Sequence, residues 1–352
     1  MIPLAEVLRR HWPEYQRRFG PQILPSHQRA VQCILACRTR ALGGEVYRCQ
    51  DCRRDHFVYH SCNHRACPQC GHARATEWIA KQKLKLLPVP YYLITFTVPE
   101  GLRAWLRSHQ KLGYASLLRQ SAEALQDVAA RPKYLGAELG VLSLLHTWGR
   151  QLQYHPHVHC VVPAGGLRAD GLRWMRPKCA DFFLPHRVLA ARFRNRLRAT
   201  LAQHHPQASK QIPDSLWRQN WVVDVRAVGN GEAALKYLSA YVCRTALGNH
   251  RILRDEQGHI TFRYKASSNG QWRMLSLPAP EFIRRLLQHV LPNGFQRLRY
   301  YGWLGPAAKQ KWQRILALLD WKPPTLMPAP QAQVLCPHCR KPLCWIATLK
   351  PP

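Results

Sequence analysis

The chain is 352 residues long, enough to bury a sizeable core and to hold more than one domain. Lys and Arg number 52 against 19 Asp and Glu, a formal charge of +33, and such an imbalance favours polyanionic partners, nucleic acid first, without implying catalysis. No apolar run approaches the roughly 20 residues that cross a bilayer, and the first turns, with Arg9, Arg10, Arg17 and Arg18, lack the apolar core of a secretory signal, so the expected place is the cytoplasm and no membrane partner is expected.

In that reducing setting 13 cysteines point to metal binding in preference to disulfides. Leu4, Val7 and Leu8, then Val31, Ile34 and Leu35, recur at helical spacing, which predicts amphipathic helices packed on the region C-terminal to them. That region opens with a cysteine cluster, Cys49-x-x-Cys52 and Cys67-x-x-Cys70, with Cys62, His64 and His72 beside the second pair. Each pair offers two sulfurs from one tight turn, and two pairs 14 residues apart come close to the spacing of a tetrahedral structural Zn2+ site. The expected ligands are therefore Cys49, Cys52, Cys67 and Cys70. Cys37 and Cys62 stand near enough to exchange with one of them or to belong to a second site, and buried free thiols are the bland alternative. Arg48, Arg53, Arg54, Arg65 and Arg74 interleave with Tyr47, Phe57, Tyr59 and Trp78, a mixture that suits phosphate pairing and base stacking as well as a purely structural knob.

Pro88-Val89-Pro90 marks a boundary. Beyond it the pattern predicts a strand over Tyr91 to Val98, a helix from Leu102 to about Ala130, and strands over Val141 to Trp148 and His157 to Val162. A basic helix from Leu184 to Leu201 repeats Leu189, Phe193, Leu197 and Leu201 among Arg187, Arg192, Arg194, Arg196 and Arg198, whose arginines read as a DNA-facing wall in preference to a solvated face. A further strand, Trp221 to Val225, leads through Gly229 to Gly231 into a helix. Strands mixed with helices, two of them joined by a short connection, give an α+β fold around a largely antiparallel sheet.

Two small constellations, one on a strand and one on a helix, carry chemistry. His157 and His159 share one face of a strand, so both imidazoles can reach one ion and leave positions open for water or a phosphate oxygen. Tyr237 and Tyr241 lie about 40° apart on their helix, away from the Leu235, Leu238 and Val242 stripe. A phenol with its pKa near 10 becomes a nucleophile where a cation stabilises the phenolate, which a two-histidine metal site supplies. After Gly294 a basic, aromatic stretch includes Arg297, Arg299, Tyr300, Tyr301, Trp303 and Trp312, then a proline-rich linker from Pro323 to Gln333. Cys336-x-x-Cys339, with Cys344 and His338, offers half a zinc site or free thiols.

The order Cys37-Arg38-Thr39, Leu42-Gly43-Gly44, Ser61-Cys62-Asn63-His64-Arg65-Ala66-Cys67-Pro68-Gln69-Cys70, His146-Thr147-Trp148-Gly149, His155-Pro156-His157-Val158-His159 and Tyr237-Leu238-Ser239-Ala240-Tyr241, continuing through His289-Val290-Leu291-Pro292 to Arg299-Tyr300-Tyr301-Gly302, resembles the two-tyrosine HUH transposases of the insertion sequence ninety-one family. The resemblance implies an HUH nuclease domain preceded by a small zinc-binding module, with His157 and His159 holding Mg2+ or Mn2+ and Tyr237 and Tyr241 as nucleophiles. It implies DNA partners, single-stranded element ends and a target, and a place at the bacterial nucleoid. Cleavage would leave a 5′-phosphotyrosine link and a 3′-hydroxyl. The implied division is a helical and zinc-binding module at 1–87, the nuclease at 88–293, a basic aromatic helical segment at 294–322, and the linker with the last cysteines at 323–352. Glu45 departs from the histidine the family often has after Gly-Gly, and Asn63-His64 reverses the usual pair. A third ligand for the catalytic ion is open, with Gln153 and His155 sharing strand parity with the histidine pair. A rolling-circle replication initiator is the alternative within this chemistry, and a non-enzymatic zinc-ribbon binder the alternative outside it.

Overall fold

The helical spacing at the start of the chain becomes α1 (Leu4–Phe19) and α2 (Pro25–Ala36), the second opened by a proline where a missing N–H costs nothing. The computed structural model describes residues 2–179, 183–233, 235–236, 245–266, 268–325 and 333–352, with 71–75 described by their backbone alone. A hairpin, β1 (Gly44–Arg48) and β2 (Asp55–Tyr59), comes next, then α3 (Gly71–Lys83) and β3 (Pro90–Thr97). The single helix expected from Leu102 is two, α4 (Leu102–Ser108) and α5 (Gln110–Ala129), because His109 between them leaves helical backbone at φ −118° and ψ 47°. The turn lets α5 lie against α4 at Gly113, where a Cβ would stand 2.5 Å from the Leu106 side chain.

β4 (Gly140–Trp148) and β5 (Tyr154–Pro163) form the central hairpin, succeeded by the short pair β6 (Gly166–Leu167) and β7 (Trp174–Met175). Then come α6 (His186–His204), α7 (Pro206–Lys210), α8 (Asp214–Arg218) and β8 (Val222–Asn230). The last part adds β9 (Ile252–Glu256), β10 (His259–Lys265), β11 (Trp272–Pro278), α9 (Ala279–Leu287), β12 (Leu298–Gly302), α10 (Lys309–Leu318) and β13 (Cys344–Leu349).

The main sheet has the order β12-β4-β5-β3-β8, antiparallel at every joint, so the expected α+β architecture around an antiparallel sheet holds. Its inner strands are covered on both faces, and for that reason β4 is buried continuously from Gly140 to Thr147 and not at alternate residues. On one face Ile94, Phe96, Val158 and Cys160 meet Leu117 and Leu125 of α5 and Phe193 and Leu197 of α6. On the other, Tyr91, Leu93, Leu142, Leu144 and Val161 gather Trp78 and Leu86. Arg192 and Arg196 of α6, expected to face DNA, instead reach α5: Arg192 Nε meets Asp127 at 2.5 Å, and Arg196 binds Asp127 at 2.7 Å and also Glu123.

The region from Ile252 to Pro278, for which no strands were expected, is a three-stranded sheet in the order β11-β10-β9. The first helices pack there. Leu4, Leu8, Val31 and Ile34 share one core with Ile252, Ile260, Phe262, Phe282 and Ile283, and His11 and Arg10 reach Asp255 at 2.7 and 3.3 Å. The tail returns as well, since β13 pairs with β1 from Gly44 opposite Leu349 to Arg48 opposite Cys344. No helix among the described residues is long and apolar enough to cross a membrane.

Candidate metal centres

Along β5 the residues at odd positions leave the face packed by α5 and α6 and join the opposite one, so His157 and His159 stand on the same side as Val161. The antiparallel register sets His146 of β4 directly opposite His157 and Leu144 opposite His159. Residues opposed across two strands point to one face, and the three imidazoles converge: ring centroids are 5.1 Å apart for His146 and His157, 4.6 Å for His146 and His159, and 4.7 Å for His157 and His159. One ring nitrogen from each lies within 4.8 Å of the others.

Neighbours fix how these rings present themselves. His157 Nδ1 donates to the carbonyl of His155 at 2.7 Å, so its Nε2 keeps the lone pair of the neutral ring. His159 Nδ1 meets the Thr95 hydroxyl at 2.9 Å, an outer contact of the kind that orients a ligating imidazole and turns Nε2 inward. The two Nε2 atoms face each other at 3.1 Å, an arrangement that a shared proton or a shared cation satisfies. Burial holds His146 and His159 well below the usual histidine range, reinforced at His146 by the charges of His159, His157 and Arg297, and burial pushes His157 down to about 4. All three are neutral near pH 7, the state in which imidazole binds a metal. Three neutral nitrogens on rigid strands, with coordination positions left over, fit a catalytic divalent ion.

His146 is the third member that strand parity did not find. Between Trp148, opposite Tyr154, and His146, opposite His157, β5 carries one residue more than β4. That bulge takes His155 out of phase with His157 and outside the cluster. Gln153 is engaged in the hairpin turn, its side-chain oxygen accepting from Gln151 N–H at 2.9 Å. Tyr237 and Tyr241 lie outside the described residues. The approach to them is described: Gly231 sits on the histidine face, where a Cβ would stand 2.4 Å from Leu86 and 2.9 Å from Tyr91.

The four expected cysteine ligands do not meet in one place. Cys67 and Cys70 gather with Cys37 and Cys62, whereas Cys49 and Cys52 gather with Cys336 and Cys339. Each Cys-x-x-Cys turn finds its other two sulfurs elsewhere, because the β1–β2 hairpin carries Cys49 and Cys52 at its tip, away from the root where α2 delivers Cys37. In the first group Cys70 Sγ is 3.1 Å from Cys37 Sγ and 3.4 Å from Cys62 Sγ, and the backbone N–H of Cys62 points at Cys37 Sγ at 3.5 Å. Sulfurs on ~2.3 Å bonds to one tetrahedral zinc stand about 3.8 Å apart, so this group needs only a small expansion to hold the ion.

Two family models match: "Transposase zinc-binding domain" over residues 7–98 and "Putative transposase" over residues 140–311. The "Putative transposase y4qJ" of Sinorhizobium fredii is 36% identical over 320 residues, covering 86% of this chain and 80% of that one. The transposase for insertion sequence element IS801 of Pseudomonas savastanoi pv. phaseolicola is 29% identical over 289 residues, 78% of this chain and 69% of its own. Among solved structures, the conjugative relaxase TrwC, in a metal-free complex with oriT DNA, aligns over 65% of this chain and 72% of its own at 13% identity and a TM-score of 0.25. The zinc-binding match and the group of Cys37, Cys62, Cys67 and Cys70 inside it support a structural Zn2+. With both halves matched by transposase models and a curated transposase similar over four fifths of its length, the chain belongs to the transposases of the insertion sequence ninety-one family, enzymes that cleave DNA and transfer its strands.

Proposed function

We propose that this transposase cuts and rejoins single-stranded DNA at element ends and target by transesterification through Tyr237 and Tyr241, in transposition of the rolling-circle type. The observation that carries the reading is the convergence of His146, His157 and His159 on one face of the β4–β5 hairpin. These three residues would hold Mg2+ or Mn2+, which would polarise a scissile phosphate and stabilise a phenolate beside it. Thr95 and the His155 carbonyl keep two of the rings turned inward. Gly231, on the same face, begins the segment that leads to the tyrosines, which supports their delivery to the histidines.

In the proposed step a tyrosine oxygen bonds to phosphorus and the bond to the 3′ oxygen breaks, leaving a 3′-hydroxyl and a 5′-phosphotyrosine. The ester is exchanged and not hydrolysed, so rejoining needs no nucleotide cofactor. The second tyrosine would serve the second cleavage. In this reading residues 1–87 help recognise element ends through the zinc module, residues 88–293 carry the cleavage, and the formal charge of +33 draws in DNA.

The test is incubation of the protein with labelled single-stranded oligonucleotides from its element ends, with Mn2+ or with chelator, and then denaturing electrophoresis. A metal-dependent covalent adduct mapping to Tyr237 or Tyr241 is expected, absent from the Tyr237→Phe, Tyr241→Phe variant. His146→Ala should lower adduct yield by about 100-fold or more, beyond the cost of losing an outer-shell contact. Cleavage that survives the double tyrosine change would sink the mechanism.

A further inference from the structure

We propose that Cys49, Cys52, Cys336 and Cys339 form a second zinc site, one that locks the tail of the chain into the N-terminal module. Their sulfurs lie within 4.8 Å of one another although Cys49 and Cys339 are 290 residues apart, and Cys49 Sγ stands 3.5 Å from Cys339 Sγ. That separation is far from the ~2.05 Å of a disulfide and close to the edge of a zinc tetrathiolate, about 3.8 Å. The match to the zinc-binding family model ends at residue 98, so it reaches only half of this set.

The backbone independently builds two matching turns. Cys49 N–H donates to the Arg54 carbonyl at 3.0 Å, and Cys336 N–H to the Lys341 carbonyl at 2.8 Å, the same five-residue span. An arginine comes directly after each pair in left-handed backbone, Arg53 at φ 53° and Arg340 at φ 63°. A residue with a Cβ adopts that conformation at a cost, and it recurs at the same place in both turns. In the first, the Cys52 N–H also points back at Cys49 Sγ at 3.4 Å, closing the turn around that sulfur. Neither turn alone provides more than two sulfurs, so the site is complete only when the tail is docked.

The docking has its own contacts. Glu45 Oε2 accepts from Trp345 Nε1 at 2.7 Å and from the Thr348 hydroxyl at 2.8 Å, both on β13, while Oε1 meets His60 at 3.1 Å. Glu45, which departs from the histidine expected after Gly43-Gly44, thus acts here as the clasp of the returning strand. Trp345 and Ile346 are more than two fifths exposed, so little apolar burial holds β13, and the metal supplies the stability that packing does not.

The experiment uses the full chain and does not depend on the tyrosine chemistry. Metal analysis should find about two zinc ions per chain, falling to about one in Cys336→Ser, Cys339→Ser. In the unaltered protein, pulse alkylation read by mass spectrometry should modify the exposed Cys179 and Cys344 at once and spare Cys336 and Cys339 until a chelator is added. If Cys336 and Cys339 react as fast as Cys179 and Cys344 without chelator, or if the double variant keeps the wild-type zinc content, the proposal is overturned.

Discussion

His27 sits on the packed face of α2, only 4% exposed, and its Nε2 finds no hydrogen-bond partner among the described residues. Burial first, then the charge of Arg107, pushes its pKa down to about 4 from 6.5. Between those values the unfolded chain binds a proton that the folded chain refuses, so stability rises with pH across that window and is fully present above it. The expected contribution is a loss of up to about 3 kcal/mol on going from pH 6.5 to 4. Urea unfolding of the wild type and of His27→Leu across this range isolates it, and equal pH slopes for the two proteins would rule it out. His157 and His159 are visible as a pair because strand parity is local, whereas His146 joins them only through the β4–β5 register, which one bulge decides. The cysteines were legible as ligand types, but nearness in sequence suggested partners that the hairpin geometry of β1 and β2 keeps apart.

Among elements, α5 and α6 are tied by a charged cluster on top of their apolar seam. Arg196 binds Glu123, Asp127 and the Gln120 side chain, and all three charged groups are less than one third exposed. Replacing Arg196 by Ala leaves two half-buried carboxylates with one fewer partner, at an expected cost of about 1–2 kcal/mol in urea unfolding. Arg194, whose contacts are exposed, should cost less than about 0.5 kcal/mol when replaced by Ala. Equal effects would mean that the cluster adds nothing. The apolar repeat of α6 was readable because Leu189, Phe193, Leu197 and Leu201 face one way; the use of its arginines was not, since the partners of Arg192 and Arg196 lie on another helix 65 to 76 residues earlier. The β9–β11 sheet escaped for a similar reason: β10 alternates only through Ile260 and Phe262, and β11 buries only Leu277 of its large apolar residues, so neither pattern is long enough to speak alone.

On the scale of the whole molecule, the boundary expected near residue 88 does not separate cores. The core that holds α1 and α2 is completed by Ile252, Ile260, Phe262, Phe282 and Ile283, all at or near zero exposure, from the region assigned to the nuclease. Cys37, Cys67 and Cys70 lie in that same core, so the first zinc group and the β9–β11 sheet share a wall. A chain restricted to residues 88–293 would bare this apolar surface and lose the Arg10 and His11 contacts to Asp255, whose side chain is 3% exposed. At about 25 cal/mol per Å2 of apolar area, uncovering five large side chains forfeits on the order of 10 kcal/mol, as much as the whole stability of a typical domain. The 88–293 fragment is therefore expected to aggregate or to unfold without a cooperative transition, while the full chain melts cooperatively. Circular dichroism with denaturant titration and size-exclusion chromatography decide between them. A soluble 88–293 fragment with a sharp unfolding transition would show that the N-terminal helices are an addition to the core of that segment and not part of it.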